Sequence, residues 1–367
     1  MDEIARGVGA SQVLPYVEGL ARRGAQVALH SFEHEPRAPA IRQRLDEAGV
    51  EWHAHQFRGR GSIAGAGRVL QAAALVRGAT MVHARSDLPA AAAMLARSHR
   101  WVWDVRSFWA DQRVAMGMLR QGSPQERVLR AIESSAAERS SAITTLTAAA
   151  IDVLAARHGE AIRAKATVIP TCVDLDRFPL APMPDPDRIQ MLLSGSFNRL
   201  YDQDVTFRFF QAVRRVRPAA LTLVRPKPTQ WDRTIIEIGG ALAAATFAEM
   251  PAHIRASHVG LAICRTDNTA AIAGAAPTKL AEFLSTGRPV VVNAGLGDMD
   301  NIINHHHCGV ILTDHSEDAV DQSARALDAL LNDDLTPTRC RMAAEEHFDL
   351  ELGISKLIDV YERVLQG

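Results

Sequence analysis

One stretch, Ala275 to Val292, constrains this chain more than any other: a tight loop, a short helix, a glycine stop and a buried strand. Pro277 suits the first helical position, where its missing N–H costs nothing. Leu280, Phe283 and Leu284 recur at i, i+3 and i+4, so one helix face is apolar. Gly287 stands where the chain leaves the helix in a left-handed conformation. Val290, Val291 and Val292 follow without a polar break. A strand apolar on both sides must be covered on both sides, which predicts a parallel sheet between helices.

The polar residues of that helix carry the chemistry. A helix N-terminus presents unpaired N–H groups and the positive end of the dipole, a ready site for phosphate. Thr278 adds a hydroxyl and Lys279 a cation at the same end. Glu282 lies almost a turn further on, about 4.5 Å along the axis. There its carboxylate can accept from two vicinal sugar hydroxyls. Phosphate donors beside such a carboxylate suit a nucleotide-sugar. The plainer reading is a surface helix with a Lys–Glu pair worth about 0.2–0.5 kcal/mol. The helix alone leaves both open.

Strand and helix patterns alternate elsewhere, which predicts an α/β fold. Strands are expected at 26–32, 50–57, 81–83, 101–105, 142–147, 189–193, 220–224, 246–250, 258–264 and 308–312. Gly7 and Gly9 read as a short loop, Ser11 as the cap of the next helix, and Asp87 as the cap of an alanine-rich one. A doubly wound domain should open with an apolar strand before its glycine loop. Residues 1–6 are too few and too polar for that. The first strand is therefore missing, which leaves a gap near the middle of the sheet. Either the start is incomplete, or this domain has a short or absent first strand. At 367 residues two domains fit, and the prolines at 179, 182, 184 and 186 mark a linker.

A formal net charge of −1 gives no global attraction to nucleic acid or an anionic membrane. Cys172, Cys264, Cys308 and Cys340 are scattered without metal spacing and read as reduced thiols of a cytosolic protein. No segment approaches the roughly 20 apolar residues that span a bilayer, and the first residues do not read as a signal peptide. His305, His306 and His307 are consecutive, so their side chains cannot converge on one ion from a helix face. They suit a helix C-terminus instead, and neither metal nor cofactor is expected.

Pro277-Thr278-Lys279-Leu280-Ala281-Glu282, followed by Gly287-Arg288-Pro289-Val290-Val291, resembles the donor-site segment of family 4 glycosyltransferases, which have the GT-B fold. Thr167 to Phe178 resembles their interdomain segment, and Trp103 to Asp111 a segment of a subset of them. Ser194-Gly195-Ser196 resembles the opening of their second domain, where glycine lets the nucleotide approach the backbone. The resemblance implies two Rossmann-like domains facing across a cleft. Residues 1–178 would form the acceptor side and 179–348 the nucleotide-sugar side, with 349–367 a helix crossing back onto the first domain.

The implied reaction moves a sugar from a nucleoside diphosphate to an acceptor hydroxyl, with retained configuration, in cell-envelope or exopolysaccharide synthesis. Lys279, Glu282 and Arg106 are the candidate catalytic residues. Ser194, Gly195, Arg199, Arg225, Pro277 and Thr278 join Lys279 and Glu282 in binding the donor, Glu282 through the ribose. Gly7, Gly9, Ser11, Asp104, Arg106 and Asp111 are the acceptor-side candidates. Asp104, Arg106 and Asp111 read equally well as buried ion pairs ordering a loop, and Arg199 as a solvated side chain. The family often carries a second glutamate eight positions before Glu282. Here that position is Gly274, so the contact to the donor sugar is unassigned. The implied partners are a nucleotide-sugar and a sugar or lipid-linked acceptor, not nucleic acid. The implied location is the cytoplasm or, peripherally, the inner face of a membrane, where the loop around Trp101, Trp103 and Trp109 could touch a lipid-linked acceptor. Two other readings stay open: an epimerase of the same fold, which needs no acceptor, and a non-catalytic or inactive nucleotide-sugar binder.

Overall fold

The computed structural model describes residues 3–4, 7–59, 61–185, 187–195, 197–225, 227–267 and 269–367. Ser196, the linker's Pro186 and most of the 1–6 segment lie outside the described residues. The chain forms two compact units, Met1–Pro170 with Leu350–Gly367, and Thr171–Asp349.

The first unit runs α1 (Gly7–Gln12), α2 (Leu14–Arg22), β1 (Val27–Glu33), α3 (Pro39–Glu47), β2 (Val50–Gln56), α4 (Ser62–Leu75), β3 (Val82–Arg85), α5 (Asp87–Leu95), β4 (Trp101–Val105), α6 (Trp109–Ala115), α7 (Pro124–Arg139), β5 (Ala142–Thr145), α8 (Ala148–His158), α9 (Ile162–Lys165) and β6 (Ala166–Val168). Its described strands pair in parallel in two separate sheets, β1–β2 and β3–β4–β5–β6. No described strand joins β1 to β3, where the gap was anticipated. Leu14, Val17, Leu45, Val50 and Trp52 form the core beside β1 and β2. The terminal helix, Leu350–Gln366, presents Val360 and Val364 to Val102 and Ala142.

Three expectations fail in this unit. Gly7 and Gly9 do not form a loop, because the helix starts at Gly7 and Ser11 lies inside it. The Ser11 hydroxyl donates back to the carbonyls of Gly7 and Val8 rather than capping anything. The break falls at Val13 instead, since Pro15 brings no N–H to the ladder. Asp87 is likewise the first helical residue, with Ser86 at the cap position.

The second unit runs β7 (Ile189–Ser194), α10 (Gln203–Val216), β8 (Ala219–Val224), α11 (Asp232–Glu237), β9 (Ala241–Ala243), α12 (Met250–Arg255), β10 (Val259–Ala262), α13 (Thr269–Ala273), α14 (Thr278–Ser285), β11 (Val290–Asn293), α15 (Met299–His306), β12 (Gly309–Leu312), α16 (Glu317–Leu331) and α17 (Thr336–His347). The six strands among the described residues are all parallel, in the order β12–β11–β10–β7–β8–β9. The first strand of the unit thus lies at the centre, and the direction of winding reverses between β7 and β10. That is a doubly wound sheet, whose ligand crevice opens at the carboxyl ends of the two strands flanking the reversal. The expected strand at 246–250 is absent. Thr246 begins a turn in which the Glu249 carboxylate accepts from its N–H and hydroxyl, and the edge strand is β9 instead.

The position of α14 is set by a glycine. A Cβ on Gly260 of β10 would stand 2.1 Å from the Phe283 ring of α14. The helix rests directly on the strand only because that position has no side chain. Gly260→Ala is expected to cost about 1–3 kcal/mol through overpacking, read as a fall in the unfolding midpoint. An unchanged midpoint would mean that Phe283 has room to turn aside.

Candidate functional site

At the winding reversal β7 ends in Ser194, which is buried, and Gly195. Gly195 has φ +84, its N–H donates to Val224 O at 2.9 Å, and a Cβ there would meet open space. The chain beyond it is stitched to the end of β10. Asp202 N–H donates to Ile263 O, Arg265 N–H donates to Leu200 O, each at 2.9 Å, and Tyr201 pairs with Cys264 in an antiparallel bridge. The Asn293 side chain at the end of β11 accepts from Cys264 N–H at 2.7 Å. Three strand ends are thereby locked into one floor.

Helix α14 stands beside this floor. Pro277 takes the position just before the first helical residue, not the first helical position itself, and its carbonyl accepts from Leu280 N–H. The loop before it is held by the Thr171 hydroxyl, which donates to Ala276 O at 2.9 Å. Lys279 Nζ lies 4.2 Å above the centre of the Tyr201 ring, a cation–π contact. That contact brings the α14 cation to the floor built from Ser194, Gly195 and Cys264. Thr278 and Glu282 share the helix, each half-buried like Lys279.

Lys279 and Glu282 have no ion-pair partner among the described residues. Each keeps a face open to solvent, yet both are densely surrounded. Desolvation pulls the Lys279 ammonium down to about 8. Desolvation also pushes the Glu282 carboxyl up to about 7, against the pull of Arg177 and Lys279. Two desolvated charges in a strand-end crevice make this the candidate binding site.

The other predicted donor residues fare differently. Arg225 is engaged by Asp232 through both arms of its guanidinium, and it also reaches Ala243 O. Asp232 in turn accepts from Thr229 N–H. The pair fastens the loop between β8 and α11, so the fork expected to face phosphate is already occupied. Arg199 is exposed on the loop before Tyr201. The sequence reading missed Tyr201 and Arg177; neither sits in a pattern that separates it from an ordinary aromatic or surface arginine.

In the first unit, Asp104 and Arg106 lie at the carboxyl end of β4. Asp104 accepts from Thr144 Oγ1 at 3.0 Å and Arg85 at 3.2 Å, and lies 3.4 Å from His83 and 3.5 Å from Arg106. Burial works to raise its pKa, but Arg106, His83 and Arg85 outweigh burial and hold the carboxyl well below the usual range. The Nε of Arg106 is buried without a hydrogen-bond partner, a donor available to a ligand. Asp111 is committed elsewhere. Arg130 grips it at 2.6 and 2.9 Å and Arg157 at 3.0 and 3.1 Å, which ties α6 to α7 and α8. Its expected acceptor-side place becomes that of a strut. Gly9 is explained by packing, since a Cβ there would stand 2.1 Å from Glu3 O. A cavity of about 750 Å³ also opens in this unit, lined by Arg97, Arg100 and Lys165. It lies at the amino ends of β3, β4 and β5, the wrong end for a ligand crevice.

No helix among the described residues is long and apolar enough to cross a membrane.

Comparison with known proteins agrees with this geometry. Residues 8–172 match the family model of the glycosyl transferase 4-like domain. None of the curated proteins matches by sequence. Among solved structures, a sucrose-phosphate synthase from Thermosynechococcus elongatus superposes with a TM-score of 0.68 at 14% identity, over 93% of this chain and 100% of its own. HepE of Anabaena, solved with UDP and glucose, gives 0.68 at 14% identity, over 98% of this chain and 97% of its own. WaaG, a glycosyltransferase involved in lipopolysaccharide biosynthesis, gives 0.67 at 16% identity, over 96% and 95%. At such identities the likeness carries the fold, which is GT-B.

Proposed function

We propose that this chain, whose residues 8–172 match the glycosyl transferase 4-like domain and whose fold is GT-B, is a glycosyltransferase of that kind, and that its second unit binds a nucleoside diphosphate sugar at the winding reversal and releases the diphosphate there. The observation that carries this reading is the pair Lys279 and Glu282, two desolvated charges without ion-pair partners among the described residues, on the helix whose cation reaches the floor beside Gly195. The diphosphate faces Lys279 and the N-terminus of α14, where positive charge is fixed before reaction. Glu282 accepts from the ribose hydroxyls. Gly195 leaves room for the nucleotide against the backbone. In transfer, the bond between the anomeric carbon and the phosphate oxygen breaks with its electron pair passing to the diphosphate. The acceptor hydroxyl oxygen bonds to the same face of that carbon, and its proton goes to the departing phosphate. Lys279 holds the growing negative charge. In the first unit the unpartnered Arg106 Nε orients the acceptor.

Uridine diphosphate is the first donor nucleotide to test, because HepE was solved with UDP and UDP-glucose. A role in envelope or exopolysaccharide glycans, with a sugar or lipid-linked acceptor, draws support from the lipopolysaccharide role of WaaG.

The test is a thermal-unfolding panel of nucleoside diphosphates and their sugars. One nucleotide at about 100 times its dissociation constant should add about 2.7 kcal/mol, and Glu282→Ala should weaken that response. Lys279 is protonated below about 8, so the response of the wild type should fade as pH rises past 8. Lys279→Arg, which cannot deprotonate in that range, should keep it. A folded protein that responds to no nucleotide, or a response indifferent to pH and to Glu282→Ala, would sink the reading.

A further inference from the structure

The histidine run at 305–307 has a use that none of the donor chemistry absorbs. Helix α15 ends at His306, and His307 leaves it in the left-handed conformation with φ +50. Helix α17 ends at His347, and its last turn places Glu346 and His347 against the run. His306 Nε2 lies 3.2 Å from His347 Nε2 and 3.3 Å from Glu346 Oε2, while His347 Nε2 lies 3.6 Å from Glu346 Oε1. His305, His306 and Glu346 each bring a ligand atom within 4.8 Å of the others.

The spacings among His306, His347 and Glu346 fit one cation, and the exposed His305 has only to turn inward to join them. Zinc bonds of about 2.0–2.2 Å to nitrogen and oxygen, arranged tetrahedrally, set neighbouring donors about 3.3–3.5 Å apart. One nitrogen also faces two partners here. A single proton on His306 Nε2 can serve the imidazole or the carboxylate, not both, whereas a dication satisfies all three lone pairs together. Imidazole with carboxylate suits zinc, and the C-terminal end of a helix favours positive charge. His306 is buried, and the others give an entry path from solvent.

We propose that His306, His347 and Glu346, with His305 as the fourth donor, form a zinc site that staples the end of α15 to the end of α17. The run alone cannot do this; the carboxylate and the second imidazole arrive from about 40 residues further along the chain, which the sequence pattern does not announce.

The experiment is calorimetric titration of chelator-treated protein with zinc chloride, paired with cobalt(II) absorption spectroscopy. One ion should bind per chain, the unfolding midpoint should rise, and cobalt should show the intense visible bands of a four-coordinate site. His347→Gln and Glu346→Gln, both at solvent-reached positions, should each weaken binding about tenfold or more while the metal-free protein unfolds as the wild type does. His30→Gln with His55→Gln, a change to the other histidine cluster, should leave the titration as it was. No binding, or binding that survives His347→Gln and Glu346→Gln unchanged, overturns the site.

Discussion

Lys279→Met should lower turnover about 10²–10³-fold, the usual loss when one fixed stabiliser of transition-state charge is removed, and the protein should unfold no earlier than the wild type. The two halves come from one fact. Desolvation pulls the Lys279 ammonium down to about 8, so the folded state holds that proton less tightly than the unfolded chain does. A lysine with a depressed pKa subtracts stability wherever it is charged, and the deficit shrinks only as pH rises from about 8 toward the ordinary value. At neutral pH the cation is therefore a cost to the fold. Methionine keeps the packing over Tyr201 and removes the charge. A structural lysine would behave in the opposite way, losing stability and activity together. The check is the rate of nucleoside diphosphate release from the donor found by the unfolding panel, measured beside the unfolding midpoint at pH 7. Unchanged turnover, or a loss that merely follows a lower midpoint, would remove Lys279 from the chemistry.

That opposition also explains how α14 could be read from the chain and much of its surroundings could not. The apolar stripe of Leu280, Phe283 and Leu284, the stop at Gly287 and the valine strand are local patterns, and local patterns fix local structure. The places of Lys279 and Glu282 on α14 were legible because a helix start puts its polar residues in known positions. Tyr201 was not, since its contact with Lys279 depends on the winding order that brings β7 beside β10. Arg225 looked free because nothing in the sequence shows that Asp232 will turn back onto it. Asp111 read equally well as facing a ligand or as a buried ion pair, and the two arginines from later helices that enclose it decide for the ion pair. The misread strand at 246–250 has the same origin: a threonine and apolar residues suit a strand, but the carboxylate of Glu249 closes a turn on them. Each failure concerns a long-range partner or a side chain competing for the backbone, and neither leaves a periodic trace.

Arg288 is the clearest case, and it yields the second large effect. In the sequence it is one letter of a glycine–arginine–proline bend. In the fold it is fully buried, and its guanidinium donates to five carbonyls: Ser257, Ala181, Thr286, Pro182 and Arg255, at 2.7–2.8 Å. Those carbonyls belong to the end of α12, the 181–182 segment and the end of α14, so one side chain ties three pieces of the second unit together. Desolvation lowers its pKa only to about 10, and it remains a cation at neutral pH. Arg288→Met would fill the volume and leave five buried acceptors without their donor. An unmet buried acceptor costs about 1–3 kcal/mol, and some of the five can take up water as the 181–182 segment lifts. A net loss of about 3–5 kcal/mol follows, a midpoint lower by roughly 10 °C for a unit of this size. Arg288→Lys keeps the charge but offers one nitrogen where three stood, so its midpoint should fall between the two. A methionine variant that melts within about 1 °C of the wild type would show that the carbonyls find other partners. The folded fraction of Arg288→Met should still bind nucleotide at pH 7, because Lys279 and Glu282 lie on the opening turns of α14 while Arg288 secures only the end of that helix.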